Sequence, residues 1–232
     1  MVVAIHQPNF LPWLGYFHKL LNSDVFVLFD DVQFPRAKTV VNRVLIKTQQ
    51  GPTWITIPVP HKGDLASIRE VRIAPDPSWK RKLLRTVELS YAKAPFTKQY
   101  LPGIRQIIES ASDELWRLNS ALIAWCAQQL GGETQLVYSS SLCKDQPPIK
   151  GSEKIHNLLM ATGATVYISG ETVGSHRYVE EEWFRQQGIQ LQWQHFQHPR
   201  YPQLHGAFAE YLSIIDLIFN CGPQARSILL SR

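Results

Sequence analysis

A chain of 232 residues that is 44% apolar and 19% charged buries roughly 70% of its unfolded surface on folding, which excludes a disordered chain and a mini-domain dependent on disulfides or metal. Its three cysteines, Cys126, Cys143 and Cys221, are widely separated and odd in number, so free thiols in a reducing compartment are expected. There is no basic-then-apolar export signal and no apolar run near the roughly 18 residues of a membrane span, so a cytoplasmic protein without a span is the expectation.

In chain order, Val2-Val3-Ala4-Ile5 has the unbroken apolar character of a central strand, and Gly15 to Leu21 has helical spacing. Between them lies His6-Gln7-Pro8-Asn9-Phe10-Leu11-Pro12-Trp13, a loop of polar, restricted and aromatic residues. A second apolar run, Val25 to Phe29, ends at Asp30-Asp31 and completes a strand, loop, helix, strand unit. Alternation in Val40–Lys47 and Thr53–Val59 predicts a β-hairpin; a polar loop over His61–Ala66 and a short strand over Ser67–Ile73 follow. Asp76-Pro77-Ser78 starts a helix to about Tyr91, Tyr100–Ser110 forms the next, and Ser112-Asp113-Glu114 caps a long one to Leu130.

Beyond Gly132 an α/β rhythm returns: strand Gln135–Tyr138, helix Gly151–Ala161, strand Thr165–Ser169, helix Val179–Gln187, strand Ile189–Phe196 and a terminal apolar helix Leu212–Asn220. Disorder is expected only in the last few residues. The predicted fold class is α/β, a single domain with a Rossmann-like parallel sheet built from residues 1–35 and 133–232, into which residues 36–132 insert a basic hairpin and helical segment. The net charge of +5 is uneven: residues 36–105 carry 14 Lys or Arg against 4 Asp or Glu, leaving the remainder net acidic. Such a segment suits an anionic ligand, although the run Lys80-Arg81-Lys82 also fits a solvated helix face.

The strings AIHQPNFLPWLGYFHKL, SDVFVLFDDVQF, Val41-Asn42-Arg43, TWITIPV, SYAKAP, VYISG, HPRYPQ and LSIIDLIFNCG, in this order from end to end, resemble the WbqC-like protein family. The resemblance implies a setting in surface-polysaccharide and nucleotide-sugar biosynthesis and fixes no reaction.

Carboxyl ends of parallel strands are where open α/β sheets bind ligands, so the loops expected there hold the candidate residues. His6 is the candidate acid or base, because imidazole titrates near working pH. Gln7, Asn9, Trp13, Tyr16 and Lys19 are candidates for substrate binding in the first loop and helix. That layout also has the form of nucleotidyltransferase-like folds, but Trp13-Leu14-Gly15-Tyr16 stands where their phosphate-binding His-x-Gly-His turn would be, without its cations. Asp30 and Asp31 point to opposite faces, and Asp31 is the one expected in the site, as a catalytic carboxylate or as a ligand for a magnesium ion bridging a diphosphate. Orienting a histidine and capping a turn are the structural roles open to it.

Lys38, Asn42 and Arg43 offer two cations and an amide, though Asn42 and Arg43 fall on opposite hairpin faces. Ser169 and Gly170 end a strand at the expected ligand edge, and His198, Tyr201 and Gln203 lie in a proline-bracketed loop suited to stacking and hydrogen bonding. His195, His198 and His205 lack a matching carboxylate or thiolate in register, so no structural zinc is expected, and no metal site is assigned. No dinucleotide-binding glycine fingerprint, P-loop or nucleophile elbow occurs.

These observations point to a transferase-like enzyme acting on a phosphate-bearing small molecule, a nucleotide sugar being the expected ligand. A nucleic-acid- or anion-binding module without catalysis, and a scaffold in a biosynthetic complex, are the alternatives; nucleic acid is the less expected partner.

Overall fold

The computed structural model describes residues 1–35, 38–60, 66–142, 151–171 and 173–231. Cys143 and most of the predicted polar loop at 61–66 lie outside them. Strand β1, Val2–His6, leads through the first loop into helix α1, Leu14–Leu21, and returns as strand β2, Val25–Leu28. The hairpin comprises β3, Arg43–Thr48, and β4, Gly51–Thr56, joined through Gln49-Gln50. Gly51 follows that turn at φ +96°, a conformation that costs a glycine little. Helices α2, Ser78–Tyr91, α3, Thr97–Ser110, and α4, Leu115–Gln129, complete the insertion. At the first of these starts, the Asp76 carboxylate accepts from the Ser78 backbone N–H at 2.9 Å.

The second half supplies β5, Gln135–Tyr138, the short α5, Ser139–Leu142, α6, Gly151–Thr162, β6, Val166–Gly170, the short α7, Val173–His176, α8, Glu181–Gln186, β7, Gln190–Gln194, α9, Ile214–Cys221, and α10, Ala225–Leu230. The five strands β5-β2-β1-β6-β7 form one sheet in that spatial order, and every neighbouring pair is parallel. Counted by their own succession in the sheet, the order is third, second, first, fourth, fifth: the Rossmann-like arrangement predicted. The chain reverses its direction of travel between β1 and β6, which makes the carboxyl ends of these two strands the crevice in which such sheets take ligands.

Period-two alternation divides each strand between two apolar layers. Ala4, Phe26, Leu28 and Ile168 face one layer together with α1, the hairpin and the inserted helices. Val3, Ile5, Val25, Val27 and Tyr167 face the other with α6 and α8. Burial on both faces explains why these strands read as unbroken apolar runs. The first layer is one contiguous cluster from Phe10 through Ile57, Tyr91, Leu122 and Phe219, so the insertion shares its core with the sheet.

One local expectation is corrected. The predicted strand Ser67–Ile73 is a 3-10 turn over Ile68–Glu70, closed by a capping box in which the Glu70 carboxylate accepts from the Ser67 backbone N–H at 2.7 Å; only single bridges, Gln33 to Ser67 and Arg72 to Glu114, flank it. The C-terminus is helical to Leu230, and Arg226 reaches the Leu130 carbonyl at 2.9 Å, tying the end of the chain to the end of α4. The four-residue helices α5 and α7 occupy segments too short for periodicity to reveal. Cys126 and Cys221 are free and buried, as expected of thiols without partners.

Candidate functional site

Helical side chains tilt toward the N-terminus of their helix, and α1 begins at the carboxyl edge of β1. Lys19, in the second turn, therefore reaches back toward that edge, where its Nζ donates to the Ile5 carbonyl at 3.3 Å. It is 4% exposed and has no carboxylate partner among the described residues. Burial pushes this amine down to about 7.

His6 closes β1 on the same sheet face as Ala4, toward α1. Its ring meets Tyr16 edge-on at 4.7 Å between centroids, and its Nδ1 lies 3.2 Å from the Gln7 carbonyl, which also accepts from the Tyr16 hydroxyl at 3.2 Å. Burial, and then the nearby Lys19 ammonium, drive the imidazole down to about 3. A neutral imidazole whose Nδ1–H donates to Gln7 presents a lone pair at Nε2.

Beside it, β1 pairs with β6 from Val2 opposite Val166 to Ala4 opposite Ile168; continuing that register sets His6 beside Gly170. Ser169 falls on the other sheet face, buried against the Tyr167 phenol. At the end of β7, Gln194 donates to the Gly15 carbonyl at 2.8 Å, holding the start of α1 against the sheet. Beside it, the exposed His195 and Glu171 side chains meet at 2.8 Å. The switch point thus gathers His6, Gln7, Tyr16, Lys19 and Gly170.

The acidic pair forms a second cluster, at the ends of β2 and β5. Asp30 is fully buried and its carboxylate accepts from Arg69 at 2.8 Å, from the Ser140 hydroxyl at 2.8 Å and backbone N–H at 3.1 Å, and from Ser139 at 3.0 Å. Asp31 meets Lys154 at 2.7 Å and also takes a hydrogen bond from Ser139. Arg69, Lys154, Ser139 and Ser140 escaped the sequence reading because a basic residue or a serine far along the chain carries no local mark of its partner. This donor set does not fit a magnesium ion. Asp30 has its acceptor sites filled, two cations flank the pair, and no group of three metal-ligating side chains occurs among the described residues.

The third cluster is an aromatic cleft of about 300 Å³ on the far side of the first loop, between Asn9, Trp13, Trp54 and Tyr211. Asn9 belongs here rather than with His6, although three residues separate them. Trp13 packs edge-on against Phe196 at 5.4 Å and against Tyr211 at 5.4 Å. Arg43 stacks on the Trp54 ring at 4.1 Å, and Asn42 turns to the opposite face and donates to the Ile57 carbonyl at 3.0 Å. Lys38 is exposed beyond the hairpin.

His198, Tyr201 and Gln203 hold the late loop in place. His198 Nε2 accepts from the Tyr211 backbone N–H at 3.2 Å, which puts the ring proton on Nδ1, 3.2 Å from the Pro199 carbonyl. Tyr201 donates to the buried Asp216 at 2.9 Å, and Gln203 accepts from the buried Lys47 at 3.1 Å. Lys47 also donates to the Ala207 carbonyl at 2.6 Å. Burial raises Asp216 to about 6, opposed by hydrogen bonds from Tyr201 and Tyr91.

The basic run on α2 is partly compensated. Arg85 pairs with Glu88 at 3.1 Å, Arg105 bridges Glu88 and Glu109 at 3.5 Å each, and Lys80 caps the Ala111 carbonyl at 2.8 Å. The carboxylates of Glu88 and Glu109 thus offset part of the positive charge on this face.

The geometry and the strings that carry the resemblance coincide: the first loop, both strand ends and the late loop all come to the carboxyl side of the sheet or line the neighbouring cleft. The WbqC-like protein family matches the chain over residues 7–228. This chain belongs to the WbqC-like family. The uncharacterized protein Rv1507c of Mycobacterium tuberculosis (strain ATCC 25618 / H37Rv) is similar to this chain, 35% identical over 231 residues, 98% of this chain and 96% of its own length. No solved structure matches the chain significantly. Among the described residues of this WbqC-like protein, no helix is long and apolar enough to cross a membrane.

Proposed function

We propose that this WbqC-like protein is a transferase of surface-polysaccharide or nucleotide-sugar biosynthesis, acting on a phosphate-bearing small molecule at the carboxyl edge of β1 and β6. The observation that carries the reading is Lys19: a buried amine that, among the described residues, has one weak carbonyl contact and no carboxylate, at the switch point of a Rossmann-like sheet. Burying an ammonium is costly unless an opposite charge meets it, and an arriving phosphate supplies that charge. Structural lysines in this fold, such as Lys154 on Asp31 and Lys47 on its carbonyls and Gln203, have their partners built in. Lys19 is supplied with none.

In this reading Lys19 binds the phosphate, and Gly170, with no side chain, lets the β6 backbone approach it. His6 Nε2 would accept the proton of the acceptor hydroxyl or amine as that group's lone pair bonds to the donor's acyl carbon and the bond from that carbon to the donor's leaving group breaks, the leaving group departing with the electron pair; the Gln7 carbonyl fixes the ring through Nδ1. Polysaccharide context comes from the family resemblance; the anion comes from Lys19. The test is a thermal-shift and calorimetric screen of the whole chain against nucleotide sugars, nucleotides and pyrophosphate, followed by product analysis with acyl and aminoacyl donors. A ligand at 100 times its Kd stabilises the fold by about 2.7 kcal/mol, and Lys19→Met should abolish the shift. A screen in which no phosphate compound binds, or in which Lys19→Met binds as well as the parent, overturns the proposal.

A further inference from the structure

We infer that the outer face of α2 docks the protein on an anionic lipid bilayer. This surface lies outside the switch point and its role does not rest on the reading of Lys19. In α2, Trp79, Leu83, Leu84, Val87 and Tyr91 are buried in the layer shared with the hairpin and the other inserted helices, so helical spacing turns the opposite side outward. That side carries Arg81, Lys82, Arg85 and Leu89, with Lys93 just past the end of the helix, all exposed and within about a third of the helix circumference.

No carboxylate of α2 stands on this face. Among the described residues Arg81, Lys82 and Lys93 form no ion pair, and Arg85 is matched by Glu88, which lies to one side and is shared with Arg105 on α3. Arg81 also acts on Asp76 at the helix start, whose carboxylate is already held by Ser78. A helix surface that is merely solvated gains from opposite charges three or four residues apart, as α8 does where Glu182 meets Arg185 at 2.7 Å. On α2 those spacings join like charges, Lys82 with Arg85 and Arg81 with Arg85, and an anion from outside relieves their repulsion. The acidic counterpart, Glu180-Glu181-Glu182, is exposed at α8, whose apolar side belongs to the layer on the other face of the sheet. This polarity orients the molecule on an extended negative surface with α2 toward it.

The kind of surface follows from what lies among the cations. Leu89 is 56% exposed in their midst, and Ala92 and Pro95 are exposed beyond it. An apolar side chain ringed by Lys and Arg fits the interfacial zone of a bilayer, where the leucine and the aliphatic stems enter the headgroup boundary and the charges meet lipid phosphates. RNA would set its phosphates against Leu89 and find no exposed aromatic ring on α2 to stack a base, since Trp79 and Tyr91 are buried. An acidic protein would need a packed apolar centre with aromatic anchors, which one leucine does not supply. The groove of about 340 Å³ between α2 and α3 sets Lys80, Arg81, Arg85 and Arg105 against Glu88 and Glu109, so its surplus of cations adds to the attraction.

The intact protein is sedimented with vesicles of phosphatidylglycerol mixed with phosphatidylcholine, and with vesicles of phosphatidylcholine alone, over a range of salt, and RNA and polyglutamate are added as competitors. Binding to the anionic vesicles alone is expected, lost by about 0.5 M salt as the charges are screened. A cation near such a surface is worth about fivefold in binding, so Lys82→Gln combined with Lys93→Gln should weaken it roughly 25-fold. Leu89→Ser should weaken it by at least about twofold, while Arg185→Gln on α8 binds as the parent does. All these side chains are exposed, and circular dichroism and melting establish that the variants are folded. Four results overturn the inference: no sedimentation with anionic vesicles, equal sedimentation with phosphatidylcholine alone, binding indifferent to the lysine pair or to Leu89→Ser, or RNA or polyglutamate displacing the protein from vesicles at an equal concentration of negative charge, which assigns the face to a soluble polyanion.

Discussion

Lys19 sets its ammonium beside His6 where, among the described residues, the Ile5 carbonyl, 3.3 Å away, alone accepts from it. Two basic groups share one buried corner, and each pays in proton affinity: the amine is lowered to about 7, the imidazole to about 3. Folding in the absence of ligand therefore works against Lys19. Below pH 7 the amine is charged in both folded and unfolded chains and the burial cost is complete. Between about 7 and the ordinary lysine value the unfolded chain holds more protons, so stability rises with pH. Lys19→Met should remove that slope and raise the stability of the free protein by roughly 1–3 kcal/mol at pH 6–7, the gain fading at high pH. Denaturant titrations at several pH values measure it. An anion restores the proton, so phosphate-ligand binding at pH 8 should take up protons, seen as buffer-dependent heats in calorimetry.

His6 acts in a lower window. Its folded value lies below its unfolded one, so above the ordinary histidine value both states are neutral and nothing is lost, while acidification from there toward pH 3 favours the unfolded chain. In His6→Gln that part of the acid sensitivity should vanish: the variant gains on the parent progressively as pH falls. Because Lys19 is the second cause of the depression, the His6 ring in Lys19→Met should titrate closer to the ordinary value, by side-chain NMR. A catalytic His6 requires in addition that His6→Gln lose turnover at pH 7, where stability is untouched.

The two aspartates should separate by phenotype. Asp30→Ala leaves Arg69 without its carboxylate and Ser140 without its carboxylate acceptor, while Ser139 keeps Asp31. Asp30 is fully buried but the Arg69 side chain is 39% exposed and water can reach it, so a loss of about 2–3 kcal/mol is expected in urea denaturation. Asp31 is partly exposed, and Asp31→Asn keeps an acceptor for Ser139 while loosening Lys154. About 1 kcal/mol or less is expected there. If Asp31 serves catalysis, Asp31→Asn loses activity out of proportion to that small cost; activity retained at the parental level would assign it to structure alone.

How much of this was legible follows from what each residue depends on. Strand and helix order was readable because burial on both sheet faces leaves unbroken apolar runs, and Gln135–Tyr138 falls within its predicted bounds. The position of His6 and Gly170 at one edge followed from strand ends alone. Which aspartate is buried did not: Asp30 and Asp31 are equivalent in sequence, and the difference is made by Arg69 and by Ser139 and Ser140, 109 and 110 residues from Asp30. The first loop was read as one cluster, but its prolines carry the chain around a corner, so His6 faces the sheet edge while Asn9 and Trp13 face the hairpin. Tyr201 and Gln203 read as candidates for stacking and hydrogen bonding in a proline-bracketed loop; their partners within the fold, Asp216 and Lys47, are buried polar groups that composition cannot pair.

Gly15 joins the switch point to the aromatic cleft, since the Trp13 ring lies directly on it. A methyl group built there would sit 2.3–2.7 Å from three carbons of the indole, well inside van der Waals contact. Alanine ordinarily favours a helix over glycine by up to about 1 kcal/mol, so propensity alone predicts that Gly15→Ala stabilises α1. Packing opposes it: Trp13 contacts Phe196 and Tyr211 and must shift from both toward the cleft to make room, and overpacking costs typically about 1–3 kcal/mol. The expected result is a net destabilisation with a displaced Trp13, visible in near-ultraviolet circular dichroism. A variant that is more stable than the parent and keeps its aromatic spectrum would show that the indole moves freely, and the cleft would lose its central wall.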